Sequence, residues 1–460
     1  MLSGHWHFIP ETLVVTGALA ALFGEFWPGK DRGAAYIAAA MAALAAVLVI
    51  LGGTSGPMVF GQVEPDSVAR FARAGVAGLT ATWVLWVAGR GISDERSRDG
   101  VALALFAAAG GMLLSMAGDL IVMYIALELS TMPAYVLMGY RRKDVSGLEG
   151  ALKYFLRSMV TSIIMLYGVS FLYAISGSSA FTEITVAGSG MLGLVAVLLT
   201  LVGVFAKMSV APFHHWVPDA YARAPAASVA FVSTVPKVAG FVVMARLLAA
   251  IAPSAPGLGT VIGIAAALSM ILGNCAAFSL GELRRLMGYS AVGHAGYLMT
   301  ALAAGTQIGY GAAVFYAVAY AVPSMAVMLV VAEEGTSMTD LAGLASRRPW
   351  VAWSMVVWLF SLIGIPPLAG FFGKLHVFGA ALQGELMALV LLGLLTTVLS
   401  AAYYLRVVRE VFFGEVTEGE DVDVEPSSAA SAALLLCALA TVALGIGAPP
   451  LLAALGVRLG

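Results

Sequence analysis

Six ionisable residues, Glu128, Lys153, Lys207, Lys237, His294 and Lys374, lie inside long apolar stretches of this 460-residue chain. Such side chains are expensive in hydrocarbon. An Asp, Lys or Arg at a helix centre costs about 2.5–3.5 kcal/mol on insertion scales. Four isolated lysines would cost on the order of 10 kcal/mol, comparable to a whole domain's stability. They must therefore be paired or hydrated, and the chemistry they offer is proton binding and release. A lysine in an apolar medium loses proton affinity by desolvation, and a nearby carboxylate restores it. If Glu128 approaches Lys207, the lysine holds its proton. If the pair parts, the proton is free to move on. Relay partners are within reach along the chain. Ser290 and His294 are i, i+4 on one helix face, and Tyr297 is three further on. Tyr316, Tyr320 and Pro323 share a segment, as do Thr396, Thr397 and Ser400. Two readings stay open for two of the six. Lys153, about one turn from a loop, reads equally well as a snorkelling or statically paired residue. His294 reads equally well as a satisfied structural histidine.

The elements that must hold these residues are membrane helices. The chain is 61% hydrophobic and 11% charged, with a net charge of −2, where soluble domains carry about 25% charged residues. Mean hydropathy is +0.95. No basic field suggests nucleic acid. Cys275 and Cys437 are too few for an iron–sulfur cluster and offer no CxxC zinc pattern. They read as small apolar packing residues. His214 and His215 are adjacent, a poor arrangement for a metal on a helix, and no metal site is expected. Met1 to Pro10 holds no Lys or Arg, so it lacks a signal-peptide n-region and is expected to stay attached.

Apolar stretches near 8–27, 33–53, 68–89, 100–117, 119–139, 150–176, 191–211, 227–250, 257–281, 285–304, 307–332, 349–382, 385–413 and 429–456 predict an all-α polytopic membrane protein of about fourteen transmembrane helices. Two stretches are too long for one straight span. Residues 191–224 and 349–382 would each make about 51 Å of helix, against a hydrocarbon core of about 30 Å. Pro212 lies near the middle of the first, and Pro366 and Pro367 near the middle of the second. Both therefore read as broken helices, which expose backbone groups that a cavity or ion path can satisfy. Pro236 beside Lys237 is expected to kink span eight.

Basic residues set the orientation. Lys30 and Arg32, Arg90, Arg96 and Arg98, Arg141 to Lys143, Arg223, Arg284 and Arg285, Arg347 and Arg348, and Arg406 and Arg409 all fall on one side. Only Arg70, Arg73 and Arg458 fall on the other. The positive-inside rule then puts both termini outside. The acidic run from Glu415 to Glu425 reads as a solvated cytoplasmic loop.

The breaks recur in the fourth position of two consecutive five-span units. Five is odd, so consecutive units insert with opposite topology, and an inverted repeat follows. The expected organisation is three leading spans (1–99), a first repeat (100–250), a second repeat (257–413), and an acidic loop with a last helix (414–460). Gly188 to Gly193 match GxGxxG, but a dinucleotide site needs a preceding strand and a βαβ unit. Here an external loop leads into a span, and the match is chance.

The run from Lys207 to Tyr221, KMSVAPFHHWVPDAY, followed by Ala224-Pro225-Ala226, resembles the proton-transporting segment of antiporter-like subunits. These occur in complex I, in multi-subunit cation/proton antiporters and in membrane-bound hydrogenases. The resemblance runs from about residue 100 to 415. Within that superfamily the chain is most similar to subunit N of NADH:quinone oxidoreductase. Gly150 to Phe155, Gly288 to Tyr297 and Pro366 to Lys374 carry this likeness. M-type members have a glutamate where this chain has Lys374, and no long lateral helix like that of L-type members is expected after the fourteenth span. The resemblance implies that Glu128 pairs with Lys207, that Lys237 lies on a central hydrophilic axis, and that Lys374 is its terminal lysine. His294 and Lys153 fit supporting positions. It implies proton translocation within a respiratory complex of a bacterial cytoplasmic membrane. The partners would be other membrane subunits and, indirectly, a peripheral redox arm, with no cofactor in this chain. A subunit of a cation/proton antiporter without redox partners is the alternative, and a non-transporting scaffold is a third reading.

Overall fold

The computed structural model describes residues 5–24, 32–54, 58–59, 61–90, 96–140, 144–415 and 427–457. Lys30, the run Arg141 to Lys143, Arg458 and the acidic loop beyond Glu415 lie outside them. Among the described residues there are helices and isolated bridges but no β-strand, so Gly188 to Gly193 precede no βαβ unit.

The leading helices are α1 (Ile9–Leu22), α2 (Arg32–Leu51) and α3 (Ser67–Arg90). Next come α4 (Arg96–Ser115), α5 (Leu120–Met138), α6 (Val145–Ser176), α7 (Gly190–Met208), α8 (Trp216–Arg223), α9 (Ala226–Val232) and α10 (Val235–Ile251). Then α11 (Leu258–Phe278), α12 (Leu283–Ala303) and α13 (Gln307–Glu334) precede the single turn α14 (Leu344–Arg347). The chain continues with α15 (Pro349–Ile363), α16 (Ala369–Gln383), α17 (Met387–Phe413), α18 (Ser428–Ile446) and α19 (Ala448–Ala454). Among the described residues, eleven helices are long and apolar enough to cross a bilayer. The remaining crossings are α1, the broken span α15–α16, and α12, which carries Arg284, Arg285, Ser290 and His294. Every residue of α13's apolar window is buried, so this helix is the axis on which both halves pack.

The two expected breaks have one construction. The α7 helix ends with left-handed Ser209, and α15 ends with left-handed Gly364. Each end is closed by a hydrogen bond of the Schellman type. Val210 N–H donates to the Phe205 carbonyl at 2.9 Å, and Ile365 N–H to the Phe360 carbonyl at 2.9 Å. A proline follows three residues after the left-handed residue in both, at Pro212 and Pro367, each after a cis peptide bond. Two other spans differ from expectation. Span eight is interrupted at Ser233 and Thr234, between α9 and α10, rather than kinked at Pro236. Pro236 sits in the first turn of α10, where no intrahelical donor is needed. Span fourteen stops at Ile446, and Pro449 and Pro450 start the separate α19 for the same reason.

Polar staples fix the leading helices to both halves. Trp83 Nε1 donates to the Ala227 carbonyl at 2.7 Å, and Trp86 Nε1 to Glu333 at 2.8 Å. Arg348 closes on Glu333 at 2.5 Å and on Glu334 at 2.7 Å. At the other end Arg246 bridges Glu64 at 2.8 Å and Asp66 at 2.6 Å, so it joins Arg70 and Arg73 as a basic residue of that end, one that the sequence reading did not count. Arg73 of α3 holds Glu11 of α1 through two bonds of 2.8 Å. Both groups are largely buried, so Arg73→Ala strands a carboxylate. It is expected to cost about 3 kcal/mol, read as a lower melting temperature of the complex. Adding Glu11→Gln should recover most of the loss.

Cys437 is buried as a packing residue, whereas Cys275 is exposed. The packing expectation fails for Cys275 because α11 packs on α12 and α17 through its other faces and leaves Cys275 exposed.

Candidate functional site

Glu128 on α5 and Lys207 in the last turn of α7 meet inside the first half. Lys207 Nζ lies 3.2 Å from Glu128 Oε1, with 1% and 8% of the two side chains exposed. Helix geometry puts the lysine where α7 leaves unpaired carbonyls, an end that favours cations. Lys207 also donates to Thr131 Oγ1 at 3.2 Å and to the Tyr135 hydroxyl. Ser162 Oγ of α6 donates to Glu128 Oε1 at 2.6 Å. Trp216 Nε1 donates to the Ala206 carbonyl at 2.7 Å, so α8 closes the broken end of α7 beside the lysine.

Lys237 follows the interruption of span eight and is 3% exposed. Its Nζ has no hydrogen-bond partner among the described residues and stands 5.4 Å from the Tyr221 ring centre. It lies in the first turn of α10, where the helix dipole does not favour a cation. The face of the Tyr221 ring attracts the ammonium through its quadrupole.

His294 of α12 is buried among tyrosines of α13 and α17. Its Nδ1 lies 2.7 Å from the Tyr316 hydroxyl and its Nε2 3.3 Å from the Tyr404 hydroxyl. Tyr404 in turn is hydrogen-bonded to Ser290. The Tyr320 ring lies 4.6 Å from the imidazole, centre to centre.

Lys374 of α16 reaches back across the second break. Its Nζ donates to the Ile363 carbonyl at 2.9 Å and to Thr397 Oγ1 at 3.4 Å, and lies 4.6 Å from the Tyr297 ring centre. Tyr297 donates to Thr396 Oγ1 at 3.2 Å. A lysine thus sits at each broken helix end, Lys207 in the last turn of α7 and Lys374 on the last carbonyl of α15.

Five of the six residues are therefore buried, on α5, α7, α10, α12 and α16, each with its own set of polar or aromatic neighbours. Lys153 stands apart. It is about a third exposed and pairs with Glu149 on its own helix at 2.6 Å, while Glu149 also binds Arg223 at 2.5 Å. Sequence reasoning missed Thr131, Tyr135, Ser162, Tyr221 and Tyr404. Thr131 and Tyr135 follow Glu128 by three and seven residues, and Tyr404 follows Ser400 by four, so helical spacing was the available signal. Among the described residues no group of three or more His, Cys, Asp or Glu side chains is placed to hold a metal. The arrangement offers alternating proton-binding groups, hydroxyls and π faces.

Residues 117–400 match the model of the NADH:quinone oxidoreductase/Mrp antiporter transmembrane family. All six candidate residues fall in that range. An NADH-quinone oxidoreductase subunit N 1 from Acidiphilium cryptum is 37% identical over 429 residues, which cover 89% of this chain and 88% of that protein. A chain of respiratory complex I from Thermus thermophilus, with bound aureothin, aligns with a TM-score of 0.84 at 30% identity, over 97% of this chain and 99% of that one. A chain of the Mrp complex from Dietzia sp. DQ12-45-1b aligns with a TM-score of 0.85 at 22% identity, over 99% and 96%, a likeness of fold alone. With the family's matched segment spanning both helix breaks and the buried ionisable residues between them, the chain belongs to the NADH:quinone oxidoreductase/Mrp antiporter transmembrane family, and its type within it is subunit N.

Proposed function

We propose that this chain is a proton-translocating membrane subunit of a respiratory NADH:quinone oxidoreductase. Protons move along Glu128, Lys207, Lys237, His294 and Lys374, driven by redox chemistry in partner subunits. The observation that carries this reading is the buried Glu128–Lys207 pair at a helix break, backed by a second lysine at the equivalent break. Lysine suits the role because it can lose its proton when buried, which arginine does not. A change that parts the pair frees the Lys207 proton to pass toward Lys237. Lys374 then offers a terminal site beside the Ile363 carbonyl. Lys153, in its exposed pair with Glu149 and Arg223, sits at the rim as a supporting charge. The subunit carries the proton steps, and electron transfer belongs to the peripheral partners. It sits in a bacterial cytoplasmic membrane beside other antiporter-like subunits. The basic loops put both termini on the outer side.

The test uses membrane vesicles that contain the whole assembly. Electron input alone, with no cation gradient imposed, is expected to drive proton movement. An imposed Na⁺ gradient that drives protons without electron input would instead support the antiporter reading.

A further inference from the structure

The leading helices carry a feature that the proton path does not use. A cavity of about 570 Å³ opens between α3, α13, α18 and α19, lined by Phe71, Gly78, Val318, Leu436 and Leu444. Its volume is in the range of ligand pockets, about 300–1,000 Å³. Along α3 the lining runs from Ser67 to Thr82. That is about 22 Å of helix at 1.5 Å per residue, longer than the roughly 15 Å that one leaflet's acyl chains span. The groove is deep because α3 presents small residues to it. A Cβ built on Gly78 meets nothing within 4 Å. At one end stands Arg70, in the first turn of α3, and the ends of spanning helices are where phospholipid phosphates lie. Arg70 forms no ion pair among the described residues, and its one side-chain hydrogen bond is a long one, 3.5 Å to the Gly52 carbonyl. Arg70 also lines a second, smaller cavity of about 220 Å³ together with Trp6 and His7, and tryptophan is enriched near the ends of membrane spans. By contrast Arg73, one turn on, is consumed by Glu11.

We infer that this groove is a structural phospholipid site. One acyl chain fills the cavity along α3, and the headgroup phosphate accepts hydrogen bonds from Arg70. The charge fits: a guanidinium with free donors matches phosphate oxygens. The bound chain completes the packing of the last long helix, α18, on α3 and α13.

The experiment uses the whole purified complex with a photoreactive phenylalanine analogue in place of Thr82. The expected product is an adduct of phospholipid mass on this subunit. Its yield should fall several-fold when Gly78→Leu fills the groove, a change that the open space at Gly78 accommodates without shifting backbone. Arg70→Gln should weaken retention of the lipid in detergent about tenfold, the loss of a charge-assisted bond. An adduct to another subunit, no adduct at all, or a lipid yield indifferent to Gly78→Leu would overturn the proposal.

Discussion

Lys207→Ala in the assembled complex is expected to abolish proton pumping through this subunit and to destabilise it by about 3–5 kcal/mol, the cost of stranding a buried counter-charge. The size of the second effect follows from geometry. Glu128 keeps its bond from Ser162 but loses the ammonium 3.2 Å away in a site with almost no exposed surface. Stability and transport are separated by the double variant Glu128→Ala/Lys207→Ala. It removes both charges, so its melting temperature should recover toward wild type while pumping stays lost. A double variant that pumps would make the pair a static packing device. Proton uptake by vesicles and thermal unfolding of the same preparation read both quantities.

Gly370→Ala should be nearly as severe, for a steric reason. A Cβ at Gly370 would lie 1.8 Å from the Ser361 carbonyl oxygen, a backbone atom that cannot step aside. Gly370 N–H also donates to Ser361 Oγ at 3.1 Å, so α16 is pressed onto the end of α15. The strain exceeds ordinary overpacking, roughly 1–3 kcal/mol. Separating α15 from α16 would also pull Lys374 off the Ile363 carbonyl. The amount of assembled complex on native gels should fall sharply, and any assembled fraction should pump poorly. Gly281→Ala, where a Cβ meets nothing within 4 Å, is the control and should behave as wild type.

Much of this architecture was legible because membrane physics writes it in residue type. Length against bilayer thickness marked both broken spans, and Pro212, Pro366 and Pro367 marked where they break. Residue depth alone singled out Glu128, Lys207, Lys237, His294 and Lys374. What the sequence hid depends on how helices rotate and approach. The interruption at Ser233 and Thr234 has no proline or glycine at the break itself, only Pro236 just beyond it. The Ile363 carbonyl becomes a lysine ligand only once α15 has ended and α16 has folded back. Asn274, which accepts from Tyr403 at 3.1 Å, joins the interior through the close packing of α11 on α12, where a Cβ at Gly273 would meet Gly293 N at 2.3 Å. Lys153 shows the limit of depth as a guide, since one turn from a loop was enough for it to find Glu149 outside the buried set.

Lys237 gives the most direct test of the central claim, because its Nζ has no hydrogen-bond partner among the described residues. Replacing it with methionine strands no counter-charge and keeps the volume, so the fold should be as stable as wild type or more so. The measurement is the number of protons moved per electron in vesicles of the assembled Lys237→Met complex. A proton path through Lys237 predicts a fall in that ratio with intact assembly and an undiminished melting temperature. An unchanged ratio would contradict it and would leave the buried lysines as structural charges.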